Sequence, residues 1–277
     1  MDEAERDLID AYYDRGEEQG RLGAGARGAL EFERTTEIVA RHLPAPPAVI
    51  ADIGGGPGRY ALWLAGLGYR VEHRDLMSLH VGQLTRSAGA AAGAAGIIAR
   101  VGDARNLDLA DASADAVLLL GPLYHLRRRP GRLAALREAL RIVKPGGAVF
   151  AAAISRWAPR LDGELRHRLY EPYPQVRELL PVLERTGWMG PLHEGSFTAY
   201  CHRPAQLRRE LIAAGLDVAD LVCVEGAAYL LADLDERHAD RRHWRVVLDG
   251  ARATERVPEL LGLGPHLLAT GIRRAGR

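Results

Sequence analysis

Val49-Ile50-Ala51-Asp52-Ile53-Gly54-Gly55-Gly56-Pro57-Gly58-Arg59-Tyr60-Ala61 is the stretch on which the fold turns. Its short apolar run, Ala48 to Ile53, suits a parallel strand covered on both faces. Gly54, Gly56 and Gly58 let the backbone take positive φ and approach a ligand with no Cβ in the way. Helical spacing resumes at Tyr60, Ala61, Leu64 and Leu67. A strand, a glycine turn and a helix N-terminus make a nucleotide-binding crevice at the carboxyl end of the strand.

Two ligands compete for that crevice. Gly56-Pro57-Gly58-Arg59-Tyr60-Ala61 matches the dinucleotide fingerprint G-x-G-x-x-A. The longer pattern, Asp52-x-Gly54-x-Gly56-x-Gly58, places an acid just before the turn. A pyrophosphate is poorly served by a carboxylate there, because like charges repel in a partly buried site. A sulfonium with an amino-acid tail is well served, with Asp52 acting on the tail's ammonium or on the turn itself. The plain alternative is a tight turn of any α/β protein, capped by Asp52. In its longer form the stretch resembles motif I of class I S-adenosylmethionine-dependent methyltransferases.

Composition sets the outer bounds. The 277 residues are 47% hydrophobic and 26% charged, an ordinary globular balance for one α/β domain with a cap. A net charge of +1 provides no overall electrostatic footprint for nucleic acid. Cys201 and Cys223 form neither a disulfide framework nor a metal spacing, so no metal is expected and a reducing cytoplasm fits. Asp2, Glu3 and Glu5 are the reverse of a signal peptide's basic start. No apolar run approaches the ~20 residues of a membrane helix, so no membrane partner is expected.

Downstream, the pattern alternates strand and helix. Tyr69 to Asp75 reads as a second strand ending in an acid, 21 positions after Gly54. An acid there accepts the ribose hydroxyls of an adenosyl group, whether from S-adenosylmethionine or NAD. Capping a helix near Ser78 is the competing role for Asp75. Ile97 to Val101 is a third strand, followed by Gly102-Asp103-Ala104. The resemblance implies that Asp103 meets the adenine amino group; an Asx-turn is its ordinary role. Asp115 to Leu120 is the central fourth strand, ending in Gly121-Pro122-Leu123-Tyr124-His125-Leu126. Lys144-Pro145-Gly146-Gly147, before a fifth strand to Ile154, is a further mark of the same family. The resemblance covers about residues 48 to 155. At the fourth strand it departs from base-nitrogen methyltransferases, whose Asp or Asn before Pro-Pro-aromatic is absent here. The pattern looks instead like that of small-molecule methyltransferases.

The expected fold is α/β: a Rossmann-like, seven-stranded, mostly parallel sheet with helices on both faces, its last strand inserted antiparallel beside the fifth. Residues 1–43 form an N-terminal helical lid, 44–155 and 204–277 the core, and 156–203 an irregular insertion over the substrate. The expected cofactor is S-adenosylmethionine, held by Asp52, Gly54, Gly56, Gly58, Asp75, Asp103, Ala104 and Gly121. Expected acceptor contacts are Tyr12, Tyr13, Tyr124, Trp157, Tyr170 and Tyr200, with ordinary core packing as their alternative. Candidate proton-transfer groups are His125, Tyr124, His202 and Glu225, each with a structural role as its alternative. The acceptor is expected to be a small molecule, such as a secondary metabolite, and not nucleic acid. An NAD-dependent oxidoreductase and a non-catalytic S-adenosylmethionine-binding protein are the rival readings.

Overall fold

The computed structural model describes residues 3–13, 16, 18–90 and 94–275. Three helices come first: α1 (Glu3–Tyr13), α2 (Glu18–Arg21) and α3 (Gly25–Ala40). The alternating part follows as β1 (Val49–Ile53), α4 (Arg59–Gly66), β2 (Arg70–Asp75), α5 (Ser78–Ala90), β3 (Ile97–Val101) and β4 (Ala114–Leu119). After it come α6 (Pro122–His125), α7 (Arg129–Ile142) and the long β5 (Val143–Ser155). The remainder is α8 (Val176–Thr186), β6 (Trp188–Met189), β7 (Ala199–His202), α9 (Pro204–Ala214), β8 (Asp217–Cys223), α10 (Leu234–Ala239), α11 (Arg241–Thr254) and β9 (His266–Ile272).

Five parallel strands lie in the order β3-β2-β1-β4-β5. Beyond β5 comes β9, antiparallel to it, and then β8, antiparallel to β9. This is the expected seven-stranded, mostly parallel sheet. Two short strands add to it, for nine among the described residues. β6 and β7 pair antiparallel, and β7 runs along the tip of β5 beyond the last β4 partner, at Ile154↔Cys201 and Ser155↔His202. The ribbon therefore stands above the carboxyl end of β4.

Successive residues of the central strands feed opposite faces, as the two-residue period of a strand requires. Ile50, Leu118 and Phe150 point into one core with Ile38 of α3, Leu64 of α4 and Leu84 of α5. Ala51, Ile53, Val117 and Leu119 point into the other, against Leu133, Leu136 and Ile142 of α7 and Leu207 of α9. Each fully buried large apolar side chain contributes about 1.5–3 kcal/mol. Both faces are covered, which explains why β1 and β4 read as near-continuous apolar runs.

α3 begins at Gly25, and its Ala26 packs with Leu234 and Trp244. The break between α10 and α11 falls at Asp240, whose side chain accepts the backbone N–H groups of Arg242 and His243 and caps α11. Residues 156–203 are not irregular. They hold a wide π-type helical stretch (Pro159–Arg166), α8 and the β6–β7 ribbon. Val176, Leu180 and Leu183 recur at helical spacing and are buried, a signal masked by the surrounding Pro, Gly and charged residues.

Candidate functional site

Parallel strands bring their carboxyl ends to one edge, and a cavity of ≈ 520 Å³ opens there. Glycine geometry forms its floor. Gly54 and Gly56 hold φ of +66° and +57°, and both line the cavity. A Cβ on Gly121 would lie 2.6 Å from the Gly54 carbonyl oxygen, so the turns after β1 and β4 pack back to back. Gly58 has φ +85° but faces away from the cavity, where a Cβ would meet Leu84 at 2.3 Å. Asp52 is fully buried beneath the turn, with Oδ2 3.1 Å from His73 Nδ1. A Cβ on Gly55 would meet that same oxygen at 2.1 Å. The acid therefore supports the turn from below and does not line the cavity.

Asp75 ends β2 on the cavity wall. Its Oδ2 accepts the Gly56 N–H at 2.8 Å, and its Oδ1 accepts the Met77 N–H at 2.8 Å and faces His80 Nδ1 at 3.0 Å. Burial opposes its charge, but His80 and the two backbone donors outweigh that and hold its pKa below the usual carboxylate value. The acid thus closes a local turn and anchors the glycine loop together, with one Oδ2 lone pair left over. Asp103 and Ala104 line the cavity next to it. Asp103 accepts the Arg105 N–H at 2.9 Å, the Asx-turn, while also pairing with the Arg105 guanidinium.

Tyr124 and His125 come from α6, which starts on Pro122 directly after Gly121. Arg132 fixes this segment. It donates to the Leu126 and Arg127 carbonyls at 2.9 and 2.7 Å while gripping Glu210 of α9 through two bonds of 2.9 and 2.8 Å. From the opposite side α1 brings Tyr13, whose hydroxyl lies 2.8 Å from His125 Nε2. Tyr13 also packs edge-on against His80, and Tyr12 packs against Phe197 of the segment between β6 and β7. Burial pushes the His125 pKa down to about 4, and raises those of Tyr13 and Tyr124 above the ordinary phenol value. Near neutrality all three are uncharged.

The cavity wall formed by α2, α3 and β9 is polar. Arg21 of α2 forms ion pairs with Glu18 and Glu31 at 2.7 and 2.6 Å. His266, the first residue of β9, lines the cavity and places Nδ1 2.5 Å from Glu225 Oε1. Burial disfavours its charge, but Glu225 and Glu31 outweigh it and lift its pKa to about 9. Among the described residues, Glu31, Glu225 and His266 are the set able to gather round a cation, their ligand atoms all within 4.8 Å. Arg21 and the imidazolium proton already answer that negative charge.

The remaining expected residues lie elsewhere. His202 is fully buried, 3.3 Å from Glu210. Tyr200 lies under Arg132, whose guanidinium carbon is 3.7 Å from the ring centre. Tyr170 is covered by Arg177, and Trp157 lies beside Gly262, 40% exposed. None of these four lines the cavity, and neither do Tyr12 and Glu225, which stand one layer behind Tyr13 and His266. Arg21, Glu31 and His266 were missed from the sequence. His266 alone carried a signal: the first residue of an antiparallel last strand must fall at the carboxyl edge.

The family model for a methyltransferase domain matches residues 51–151. The ubiquinone/menaquinone biosynthesis C-methyltransferase of Caulobacter sp. (strain K31) is 33% identical over 126 residues, covering 43% of this chain and 49% of that protein. Its counterpart in Acidiphilium cryptum (strain JF-5) is 36% identical over 123 residues, covering 43% and 47%. The chain thus spans about half the length of the curated relatives it matches. Among solved structures, a SAM-dependent methyltransferase from Methanosarcina mazei superposes with TM-score 0.59 at 18% identity, covering 86% of this chain and 98% of that one. The CcbJ methyltransferase from Streptomyces caelestis gives 0.57 at 16%, covering 87% and 89%. These last two likenesses are of fold. Residues 51–151 thus match a methyltransferase domain, and the sheet order and the glycine turn agree with that match.

Proposed function

We propose that this protein transfers the methyl group of S-adenosylmethionine to a small-molecule acceptor. One observation carries the reading: a single cavity joins the glycine turn, Asp75 and Asp103 at one end to an aromatic wall of Tyr13, Tyr124 and His125 over β4. The residues present fit the cofactor. Gly56 is open toward the cavity, where an added Cβ would meet nothing closer than Glu18 at 3.9 Å, so backbone can approach the ligand there. Asp75 keeps a lone pair for a ribose hydroxyl, and Asp103 and Ala104 flank the place for adenine.

When bound, the cofactor supplies an already activated methyl group on a cationic sulfur. The chain's own residues have three tasks. Tyr13 and Tyr124 stay protonated and neutral, and His125 stays uncharged, so no cation opposes the sulfonium from this wall. The aromatic faces favour a positive charge instead. The bond from Tyr13 to His125 holds α1 across the cavity and excludes water. In this reading residues 1–43 are the lid, 44–155 and 204–277 the core, and 156–203 the cap. The acceptor lies against the aromatic wall, and no described helix is long and apolar enough to cross a membrane.

Calorimetry tests the cofactor and labelled methyl transfer tests the reaction. Binding of S-adenosylhomocysteine, with incorporation into a panel of phenols, amines and keto acids, is the expected result. Binding of NAD in its place would overturn the reading in favour of an oxidoreductase. Tight binding with no transfer to any member of the panel would favour a non-catalytic role.

A further inference from the structure

The sequence offers Asp52 as the partner for the ammonium of the cofactor's amino-acid tail, and the structure withdraws it. Asp52 is fully buried beneath the glycine turn against His73 and does not reach the cavity. The acids that do line the cavity beside that turn come from the N-terminal segment, outside the residues matched by the family model. A Cβ on Gly56 would point at Glu18 of α2, whose Cγ would lie 3.9 Å away. Glu18 Oε1 accepts from Arg21 Nε at 2.7 Å. The same guanidinium grips Glu31 of α3 through Nη1 and Nη2, at 2.6 and 3.1 Å. Glu31 in turn faces His266, which is held from behind by Glu225.

This chain of charges is left open on the cavity side. Arg21 has five N–H donors, of which the two carboxylates take three, and 40% of its side chain stays accessible. Among the described residues, Glu18 Oε2 receives no donor. An open guanidinium edge therefore lies beside an open carboxylate oxygen, next to Gly56. Burial opposes the charges of Arg21 and Glu31, but each holds the other ionised, with help from Glu18 on the first and His266 on the second. An α-amino acid carries the same two charges side by side. It can lie antiparallel against such a pair, each charge meeting its opposite. In formal charge, Glu18, Glu31 and Glu225 against Arg21 and the His266 imidazolium leave the chain one unit negative. S-adenosylmethionine, with its sulfonium, ammonium and carboxylate, is one unit positive.

We infer that Arg21 and Glu18 of α2 form the subsite for the amino-acid tail of S-adenosylmethionine: the open guanidinium edge clamps the tail carboxylate, and Glu18 Oε2 takes the tail ammonium. The inference rests on the methyltransferase reading. It gives α2 a task in binding as well as in covering the site, because a seated tail ties α2 to the Gly56 turn. Tyr13 stands just before α2 in the chain and meets His125, so the tail also steadies the cover over the methyl group. The plain alternative is a structural bridge that only holds α2 against α3. Such a bridge would act on every adenosyl ligand alike, whereas a tail subsite acts only on ligands that have the tail.

Calorimetry with the full-length protein draws that distinction. It compares S-adenosylhomocysteine with 5′-methylthioadenosine, which keeps the adenosyl group and the sulfur but has no amino-acid tail. The wild type should bind S-adenosylhomocysteine about tenfold more tightly or better. Arg21→Met, which keeps an apolar stem and removes the donors, and Glu18→Gln should each weaken S-adenosylhomocysteine by about tenfold or more, with methylthioadenosine affinity unchanged within about twofold. Arg21→Lys should recover part of the loss, because it restores the charge without the planar fork. Should Arg21→Met fail to fold, Glu18→Gln carries the same comparison. The subsite is refuted if the wild type binds the two ligands equally, or if the folded variants weaken both ligands alike or neither. Failure of the wild type to bind either ligand would instead count against the methyltransferase reading beneath it.

Discussion

Asp75→Asn separates the two tasks assigned to that acid. The carboxylate receives three protein donors, the N–H groups of Gly56 and Met77 and the His80 ring, and keeps one lone pair facing the cavity. Asparagine in the same rotamer keeps Oδ1 for Met77 and His80 but turns an NH₂ group toward the Gly56 N–H. One charge-assisted bond becomes a clash of donors, and a ligand hydroxyl loses its acceptor. An unsatisfied or mispaired buried group costs about 1–3 kcal/mol, and a bond to a charged partner contributes about 1.5–3. Affinity for S-adenosylhomocysteine should therefore fall by tenfold to a hundredfold. Asp75→Ala strips all three donors and should also lose about 3 kcal/mol of stability, or ~5 °C in Tm for a chain of this size. Calorimetry on both folded variants, with thermal unfolding in parallel, reads the two effects apart. Wild-type affinity in Asp75→Asn would show that the acid only braces the loop.

Four further outcomes follow. Tyr13→Phe, which leaves His125 Nε2 without its partner, should slow methyl transfer by about tenfold with cofactor affinity nearly unchanged, measured in single-turnover assays. His125→Gln should retain activity within about tenfold; a loss of ~10²-fold or more, with an altered acid limb in the pH profile, would return it to the role of base. Gly58→Ala should lower stability by about 3 kcal/mol in chemical denaturation, because its φ is +85° and Leu84 occupies the space. Burial raises the Glu210 pKa, but Arg132 and His202 outweigh that and bring it from 4.5 to about 2. That depressed value stabilises the fold fully above pH 4.5, by about 3 kcal/mol, and the gain is lost as pH falls toward 2; Glu210→Gln should flatten this limb of the acid unfolding curve.

Much of the core was legible because its signals are local. A strand, its glycine turn and the start of the next helix lie within 13 residues, and the spacing of Asp75 from Gly54 follows from one βα unit. The last strand, His266 to Ile272, was legible to the residue because it is apolar and bounded by Gly-Pro and basic residues. The β6–β7 ribbon was not, since Trp188-Met189 is too short to show a period and pairs only through β7. Long-range charge pairs stayed hidden for a different reason. Arg21, Glu31, Glu225 and His266 meet only once α3 and β9 have been laid against the same edge, and nothing in their neighbourhoods announces a partner some 200 residues away. Tyr170 and Tyr200 show the reverse: aromatic residues in a cap are as readily covered by arginines as by a ligand.

β9 slots between β5 and β8 with seven registered positions against the first and six against the second. It is also the last of the described strands in chain order. Until it arrives, β5 and β8 each present an open row of backbone donors and acceptors, the kind of surface that recruits a neighbouring chain. A nascent or clipped chain ending before residue 266 would lack both the keystone of its sheet and the His266 imidazole that lines the cavity. Self-association and loss of the site should therefore appear together.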